Sequence, residues 1–391
     1  MNLSENSVLG VAGAGTMGTG IAQIAATHGH KVYIYDSFAD QLERSCGNLK
    51  SILDRQVEKE RLTQEQADKI FSNVHYVEQT SSFSECDMVI EAIIENKEAK
   101  RDMFKRIEGI VPKDCILATN TSSLSIASLS SAFKRPGRFL GIHFFNPAPV
   151  MKLVEIIPSI TTSDEVVQHV KKCMGMWNKT GVIASDTPGF IVNRVARPFY
   201  GEALRIYEEG IADHATIDWA MKEIGGFKMG PFELMDLIGH DVNFEVTQTV
   251  FKEFFYDPRF KPSFVQKRMV EAGFLGRKSG RGFYNYGDDA PNTEPDKSRE
   301  LGDKIVNRIL AMLINEACDA LFMNIASKED IDLAMTQGVN YPKGLFKWGD
   351  EIGLDKVLDQ MSYLQVEYRE DRYRPNPLLK KMVREEKTFY S

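Results

Sequence analysis

No stretch of the 391-residue chain is both long and apolar enough to cross a bilayer. The first residues run into an apolar segment with no basic, cleavable leader ahead of it, so neither membrane insertion nor export is expected. Cysteine is sparse. Cys46, Cys86, Cys115, Cys173 and Cys318 are odd in number and scattered, and none has CxxC or metal-ligand spacing. That excludes a disulfide scaffold and a cysteine-held metal; reduced thiols in a cytoplasmic compartment and no metal site are expected. Positive charge is also in short supply, with Lys+Arg 48 against Asp+Glu 55 and a net charge of −7. Nucleic acid is therefore a poor partner, although a local basic pocket for a phosphorylated small molecule is not excluded.

What is present is a chain of ordinary globular composition, long enough for two or three domains. Ser7–Val11 reads as a strand running into Gly13-Ala14-Gly15-Thr16-Met17-Gly18, with a helix following and a second strand, Lys31–Tyr35, ending at Asp36. Two charged amphipathic helices occupy about 40–69. Asp87–Ala92 and Cys115–Ala118 are further apolar strands separated by a helix around Glu98–Ile107. Phe139–Phe144 and Leu153–Ile157 read as strands joined across Asn146-Pro147-Ala148-Pro149. The alternation predicts an α/β Rossmann domain with a doubly wound parallel sheet over 1–186. After Asp186-Thr187-Pro188-Gly189 helices dominate to the end, and a linker-like segment near Gly287–Asp296 divides 187–287 from 297–391.

The two helical segments resemble each other. Val192–Asp241 aligns without a gap on Val306–Asp355, and roughly 17 of about 50 positions are identical. Val192-Asn193-Arg194 falls on Val306-Asn307-Arg308, Glu202-Ala203 on Glu316-Ala317, Ile217-Asp218 on Ile331-Asp332. Gly230, Phe232, Asp236, Gly239 and Asp241 fall on Gly344, Phe346, Asp350, Gly353 and Asp355. The pattern predicts an all-α C-terminal domain in two tandem copies.

In the glycine loop, Gly13 permits the tight turn, Gly15 lets the backbone approach a pyrophosphate, and Gly18 lets the helix pack closely on the sheet. The helix N-terminus at Thr16 and Met17 offers free N–H groups to the phosphates. Asp36 is placed for the adenosine ribose hydroxyls and would repel a 2′-phosphate, which favours NAD over NADP; FAD stays open for such a loop. Among the seven histidines, His143 stands apart, because it lies at a strand end and can meet Glu155 across the following turn. Glu155 interrupts an apolar strand and needs a partner if it is buried, although an edge strand could leave it in solvent. Asn120-Thr121-Ser122-Ser123 lies at the carboxyl end of a strand, where α/β sheets bind ligands. Ser123 or Ser125 can cap the next helix, which leaves Ser122 for another role. Asn193 sits in the first turn of the helix after Pro188-Gly189.

These stretches together resemble the 3-hydroxyacyl-CoA dehydrogenases, in register over about residues 7–286. The likeness is carried by the glycine loop, Asn120-Thr121-Ser122-Ser123-Leu124, His143-Phe144-Phe145-Asn146-Pro147 and Met151-Lys152-Leu153-Val154-Glu155. Asp186-Thr187-Pro188-Gly189-Phe190 with Asn193-Arg194, Gly230-Pro231-Phe232-Glu233-Leu234, and Gly276-Arg277-Lys278 with Gly282-Phe283-Tyr284 extend it. The resemblance implies that His143 is a general base oriented by Glu155, and that Ser122 and Asn193 hold the substrate. It implies that Glu95, Lys100, Asn120 and Lys278 surround the nicotinamide half of NAD. Lys59 matches a basic position near the phosphate of CoA, while Ile52, beside Ser51, stands where a serine is expected. It also implies oxidation of a 3-hydroxyacyl-CoA by a monomer with an internal pseudo-dimer of helical domains, or by a homodimer. A sugar-acid dehydrogenase of the gulonate 3-dehydrogenase kind and a non-catalytic NAD-binding regulator are the competing readings.

Overall fold

The computed structural model describes residues 3, 4, 6–287 and 293–390. The chain divides into two compact units, Met1–Thr187 and Pro188–Ser391.

The first unit is built on one eight-stranded sheet: β1 (Leu9–Ala12), β2 (Val32–Tyr35), β3 (Val74–Val77), β4 (Met88–Glu91), β5 (Ile116–Thr119), β6 (Phe139–Phe144), β7 (Leu153–Pro158) and β8 (Thr180–Ile183). Their spatial order is 3-2-1-4-5-6-7-8. β1, β4, β5 and β6 are buried along their whole length, as expected of apolar runs covered on both faces. The first six strands are parallel, with the chain order reversing at β1, the switch point where open sheets bind ligands. The expected all-parallel sheet needs one correction: β7 runs antiparallel to β6, and β8 is parallel to β7. The connection between β6 and β7 spans only 145–152, too short for a helical crossover, so the chain can only turn back. Helices α1 (Thr16–Thr27), α2 (Ala39–Glu58), α3 (Gln64–Ser72), α4 (Lys97–Glu108), α5 (Ile126–Ser130) and α6 (Asp164–Met176) connect the strands.

Lys179, just before β8, fixes the turn between β6 and β7. Its buried ammonium donates to the carbonyls of Ala148 (2.6 Å), Pro149 (3.2 Å) and Met151 (2.7 Å). One long side chain thus satisfies three carbonyls that the non-repetitive turn leaves without ladder partners.

Among the described residues the second unit has no strand, only isolated bridges around Gly276–Asn285. Its helices are α7 (Val192–Val195), α8 (Arg197–Glu208), α9 (His214–Trp219), α10 (Pro231–Ile238), α11 (His240–Glu253), α12 (Phe264–Glu271), α13 (Arg299–Phe322), α14 (Lys328–Gly338), α15 (Leu345–Ile352), α16 (Leu354–Tyr368) and α17 (Pro377–Arg384). Part of the expected linker, 288–292, lies outside the described residues.

Aspartates organise this unit. Asp218 accepts from the N–H groups of Phe232 (2.9 Å) and Glu233 (2.8 Å) at the start of α10. Asp236 is fully buried and accepts from Phe283 N (3.0 Å), Tyr284 N (2.9 Å), the Tyr286 hydroxyl (3.0 Å) and His240 Nε2 (2.6 Å). Buried ion pairs tie α7 and α8 to α13: Arg194 Nε meets Glu316 (2.8 Å), and Arg308 Nε meets Glu202 (2.6 Å).

Burial alone would raise the Asp236 carboxyl, but His240 and the two N–H donors outweigh it and hold the group below its ordinary value of 3.8. A depressed acid stabilises the folded state above its unfolded pKa and loses that contribution as pH falls through the folded one. Asp236→Asn is therefore expected to lower the urea midpoint at pH 7 by the equivalent of about 2–4 kcal/mol. The gap should close only below about pH 4; a gap that closes already near neutrality would contradict the assignment.

Candidate active site

The site in the first unit lies at the carboxyl ends of its parallel strands. Gly13 follows β1 with φ +112, and a Cβ there would stand 2.4 Å from the Ala92 carbonyl oxygen. A Cβ on Gly18 would meet the Gly13 carbonyl oxygen at 1.8 Å, whereas one on Gly15 would meet nothing within 4 Å. Two glycines are thus demanded by the protein's own packing, and the third borders open space, the cradle a pyrophosphate requires. Gly15 caps α1 without a side-chain bond, and Thr16, Met17 and their neighbours bring no acidic residue to the first turn. The Asp36 carboxylate accepts from Ala14 N (2.8 Å) and Phe38 N (3.1 Å), which places it beside the glycine loop at the end of β2. These features fit the pyrophosphate and ribose of a dinucleotide.

β4 and β5 end in a polar network. Glu95 accepts from the backbone N–H of Ser122 (3.1 Å) and Ser123 (3.2 Å) and from the hydroxyls of Thr121 and Ser123. Burial pushes its carboxyl up, but Lys100 and the two hydroxyls outweigh that and hold it below the usual range. Lys100 is 1% exposed, and its ammonium is engaged by Glu91 (2.7 Å) and Glu95 (3.2 Å), so it reaches the Ser122 loop through Glu95. Glu91, which sequence reasoning missed, is fully buried and also accepts from Ile93 N and the Thr119 hydroxyl, both at 2.7 Å. A lone carboxylate in the apolar run Met88–Glu91 was the available signal, the same one that marked Glu155. The cap of α5 is Ser125, its N–H groups also served by Asp186. Ser122 is half-buried beside it.

His143 and Glu155 are direct cross-strand partners in the β6/β7 register. His143 Nδ1 lies 2.7 Å from Glu155 Oε2, with the imidazole 6% exposed and the carboxylate fully buried. The solvent-facing alternative for Glu155 is thereby overturned: β7 is interior, with β8 on its far side. Asn120 Oδ1 accepts from Phe144 N (2.9 Å), so the Ser122 loop and the strand end carrying His143 are held together. A cleft of about 360 Å³ runs between α1, α2 and the Asn146–Val150 turn, walled by Thr16, Gly20, Ser51, Ile52 and Arg55. Arg55 is its basic residue; Lys59 lies exposed just past the end of α2, outside the wall. In the second unit, Asn193 is half-buried in α7, and Lys278 pairs with both oxygens of Asp241 (2.6 and 2.7 Å).

Residues 8–187 match the family model described as 3-hydroxyacyl-CoA dehydrogenase, NAD binding domain; 189–286 and 305–389 match that described as 3-hydroxyacyl-CoA dehydrogenase, C-terminal domain. The chain is 37% identical to a 3-hydroxyadipyl-CoA dehydrogenase of Escherichia coli, over 95% of this chain and 96% of the relative. It is 41% identical to a probable 3-hydroxybutyryl-CoA dehydrogenase of Deinococcus radiodurans, over 71% of this chain and 99% of that one. A crystal structure of 3-hydroxybutyryl-CoA dehydrogenase from Escherichia coli superposes with a TM-score of 0.93 at 35% identity, covering 98% of this chain and 99% of the other.

Gly18→Ala should weaken NADH binding by more than about tenfold in a fluorescence titration, because its methyl cannot fit against the Gly13 carbonyl without shifting α1. Gly15→Ala, facing open space, tests the ligand side of the same loop: it should weaken NADH while leaving the melting temperature unchanged. Unaltered affinity in both would remove the loop from the cofactor site.

Proposed function

We propose that this chain, which belongs to the 3-hydroxyacyl-CoA dehydrogenase family, oxidises (3S)-3-hydroxyacyl-CoA with His143 as proton acceptor and Glu155 as the carboxylate that orients it. The observation that carries the assignment is the buried His143–Glu155 contact at 2.7 Å. With Nδ1–H donating to Glu155, the lone pair on Nε2 is the ring's proton-accepting site. Glu155 fixes the tautomer and stabilises the imidazolium that forms when the substrate hydroxyl gives up its proton. NAD, when bound, supplies the hydride acceptor for C3. Ser122 and Asn193 hold the substrate oxygen, and Asn120 keeps the serine loop and the histidine strand in step. Glu95 shapes that loop, with Lys100 behind it, and the family resemblance assigns Lys278 to the nicotinamide half. The cleft along α2 takes the CoA moiety, with Arg55 and Lys59 toward its phosphates. Run backwards, the same groups protonate the oxygen as a 3-oxoacyl-CoA is reduced.

The helical unit is read as two copies of one domain, 187–287 and 297–391, facing each other as an internal pseudo-dimer. Support comes from reciprocity. Under the alignment Arg194 corresponds to Arg308 and Glu202 to Glu316, and each arginine holds the other copy's glutamate. A contact in which i meets j′ while i′ meets j is the mark of a two-fold interface. The aspartate clamps repeat as well. Asp332 accepts from Phe346 N (2.9 Å) as Asp218 does from Phe232 N, and Asp350 accepts from Phe389 N (2.9 Å) and Tyr390 N (2.7 Å) as Asp236 does from Phe283 and Tyr284.

His143→Gln is expected to lower kcat by about a thousandfold or more with NADH affinity within a few-fold. Glu155→Gln should lower kcat by about a hundredfold. Activity of either variant within a few-fold of wild type would remove the pair from the chemistry. A chain ending near Pro291 should dimerise in light scattering, or lose stability, because Arg194 and Glu202 lose their buried partners; a stable monomer would defeat the pseudo-dimer.

A further inference from the structure

Lys100 occupies a position that its helix otherwise gives to apolar residues. It shares the buried face of α4 with Met103, Phe104 and Ile107, at the spacing of a core-facing stripe. An ammonium there is costly unless acids meet it, and Glu91 and Glu95 do so at 2.7 and 3.2 Å. Glu91 closes β4 between Ala12 of β1 and Thr119 of β5, at the switch point of the sheet. Its Oε1 accepts from Lys100 and from Ile93 N, and its Oε2 from the Thr119 hydroxyl, each at 2.7 Å. Burial pushes the Glu91 carboxyl up, although Lys100, Thr119 and the Ile93 N–H act the other way. Stability alone is a weak reason for such a pair, because apolar side chains of similar volume often serve a buried site as well or better.

The serine loop shows what the pair holds. Residues 121–124 form neither helix nor strand, so their N–H groups have no ladder to close on. They close on side chains instead. Glu95 Oε1 accepts from Ser122 N (3.1 Å), Ser123 N (3.2 Å) and the hydroxyls of Thr121 and Ser123, while Thr121 Oγ1 accepts from Leu124 N (3.0 Å). Glu95 is exposed, on the irregular stretch after β4, where a glutamate left to itself samples several rotamers. Lys100 restrains it by donating to its other oxygen. Glu91 reaches the same loop by two further routes. The Thr119 hydroxyl that donates to it accepts in turn from Thr121 N (3.2 Å), and its backbone carbonyl accepts from Asn120 N (2.8 Å). Three routes thus run from one buried residue to the loop that carries Ser122.

We propose that Glu91 is a positioning residue: through Lys100, Glu95 and Thr119 it fixes the loop from which Ser122 meets the oxygen of the substrate. This rests on the reading of Ser122 as a residue that holds that oxygen. A carboxylate at this place accepts from an ammonium, an N–H and a hydroxyl at once, whereas an amide of the same shape turns an NH2 group toward one of them. Glu91→Gln therefore keeps the volume and loses the orientation. The disturbance passes to Ser122, and a misplacement of about 1 Å at a reacting centre is enough to slow the chemical step by about a hundredfold.

The test measures oxidation of (3S)-3-hydroxybutyryl-CoA with NAD on the full chain, beside the melting temperature. Glu91→Gln should lower kcat by about tenfold or more. In a Ser122→Ala background the same change should lower kcat by less than about twofold, because both act at one place. Independent, multiplying losses overturn the proposal, as does a kcat in Glu91→Gln within about twofold of wild type. Glu91→Leu combined with Lys100→Met separates positioning from folding: the apolar pair should restore the melting temperature while kcat stays low. Recovery of kcat together with the melting temperature assigns Glu91 to the fold and overturns the proposal. Thr119→Val, nearly isosteric, covers the case in which Glu91→Gln does not fold. It should lower kcat by about threefold or more, again with no further loss on top of Ser122→Ala, and an unchanged kcat overturns the proposal. A wild type that does not oxidise the thioester removes the dehydrogenase reading and this one together; an active wild type with uncoupled losses removes this one alone.

Discussion

The antiparallel pairing of β6 with β7 is the constraint on which the first unit's chemistry depends. An imidazole and a carboxylate far apart in most folds are here opposite members of one ladder, 12 residues apart in sequence, and the register decides that they meet. A slip of one residue in β7 would turn Glu155 to the face opposite His143. The pairing is defended on both sides: β5 and β8 flank it, Asn120 ties the end of β6 to the serine loop, and Lys179 fixes the intervening turn by three carbonyls. A buried glutamate would be a liability in such a sheet; opposite a histidine it has a hydrogen-bond partner.

Much of this was legible in the sequence because the signals were local. The glycine loop, the strand ending at Asp36 and the interruption of an apolar strand by Glu155 each announce themselves within a few residues, and the structure places each at the carboxyl edge of the sheet. The long helices around 40–69 and 98–107 follow from their 3.6-residue periodicity. β3 and β8 went unrecognised because each is a four-residue strand at a sheet edge, half-exposed and without a clear alternation. The reversal of β7 was implicit in the length of the turn before it, a constraint of reach rather than of residue type.

What the sequence hid is pairing at a distance. Nothing near Lys100 reveals that its ammonium is spent on Glu91 and Glu95, nor does anything near Asp236 reveal that it clamps the backbone of Phe283 and Tyr284. Arg197 is the converse: it reads as an unremarkable helical cation, and only its burial, with no ion pair to an acid among the described residues, sets it apart from Arg194 three positions earlier. Charged residues declare their roles through their partners, and partners are a property of the fold.

The reciprocal arginine–glutamate contacts carry a consequence for how this chain can change. In an association of two identical subunits every substitution appears twice, and the strength of the assembly follows protein concentration. When the two halves are joined in one polypeptide, docking becomes intramolecular and its strength no longer depends on dilution. Symmetry is then no longer enforced. One half can keep Ala311 and a roomy cavity while the other acquires Arg197, and His240 can enter beside Asp236 where the other half keeps Leu354. On the two-copy reading proposed above, covalent fusion lets one half of the helical region change without its twin.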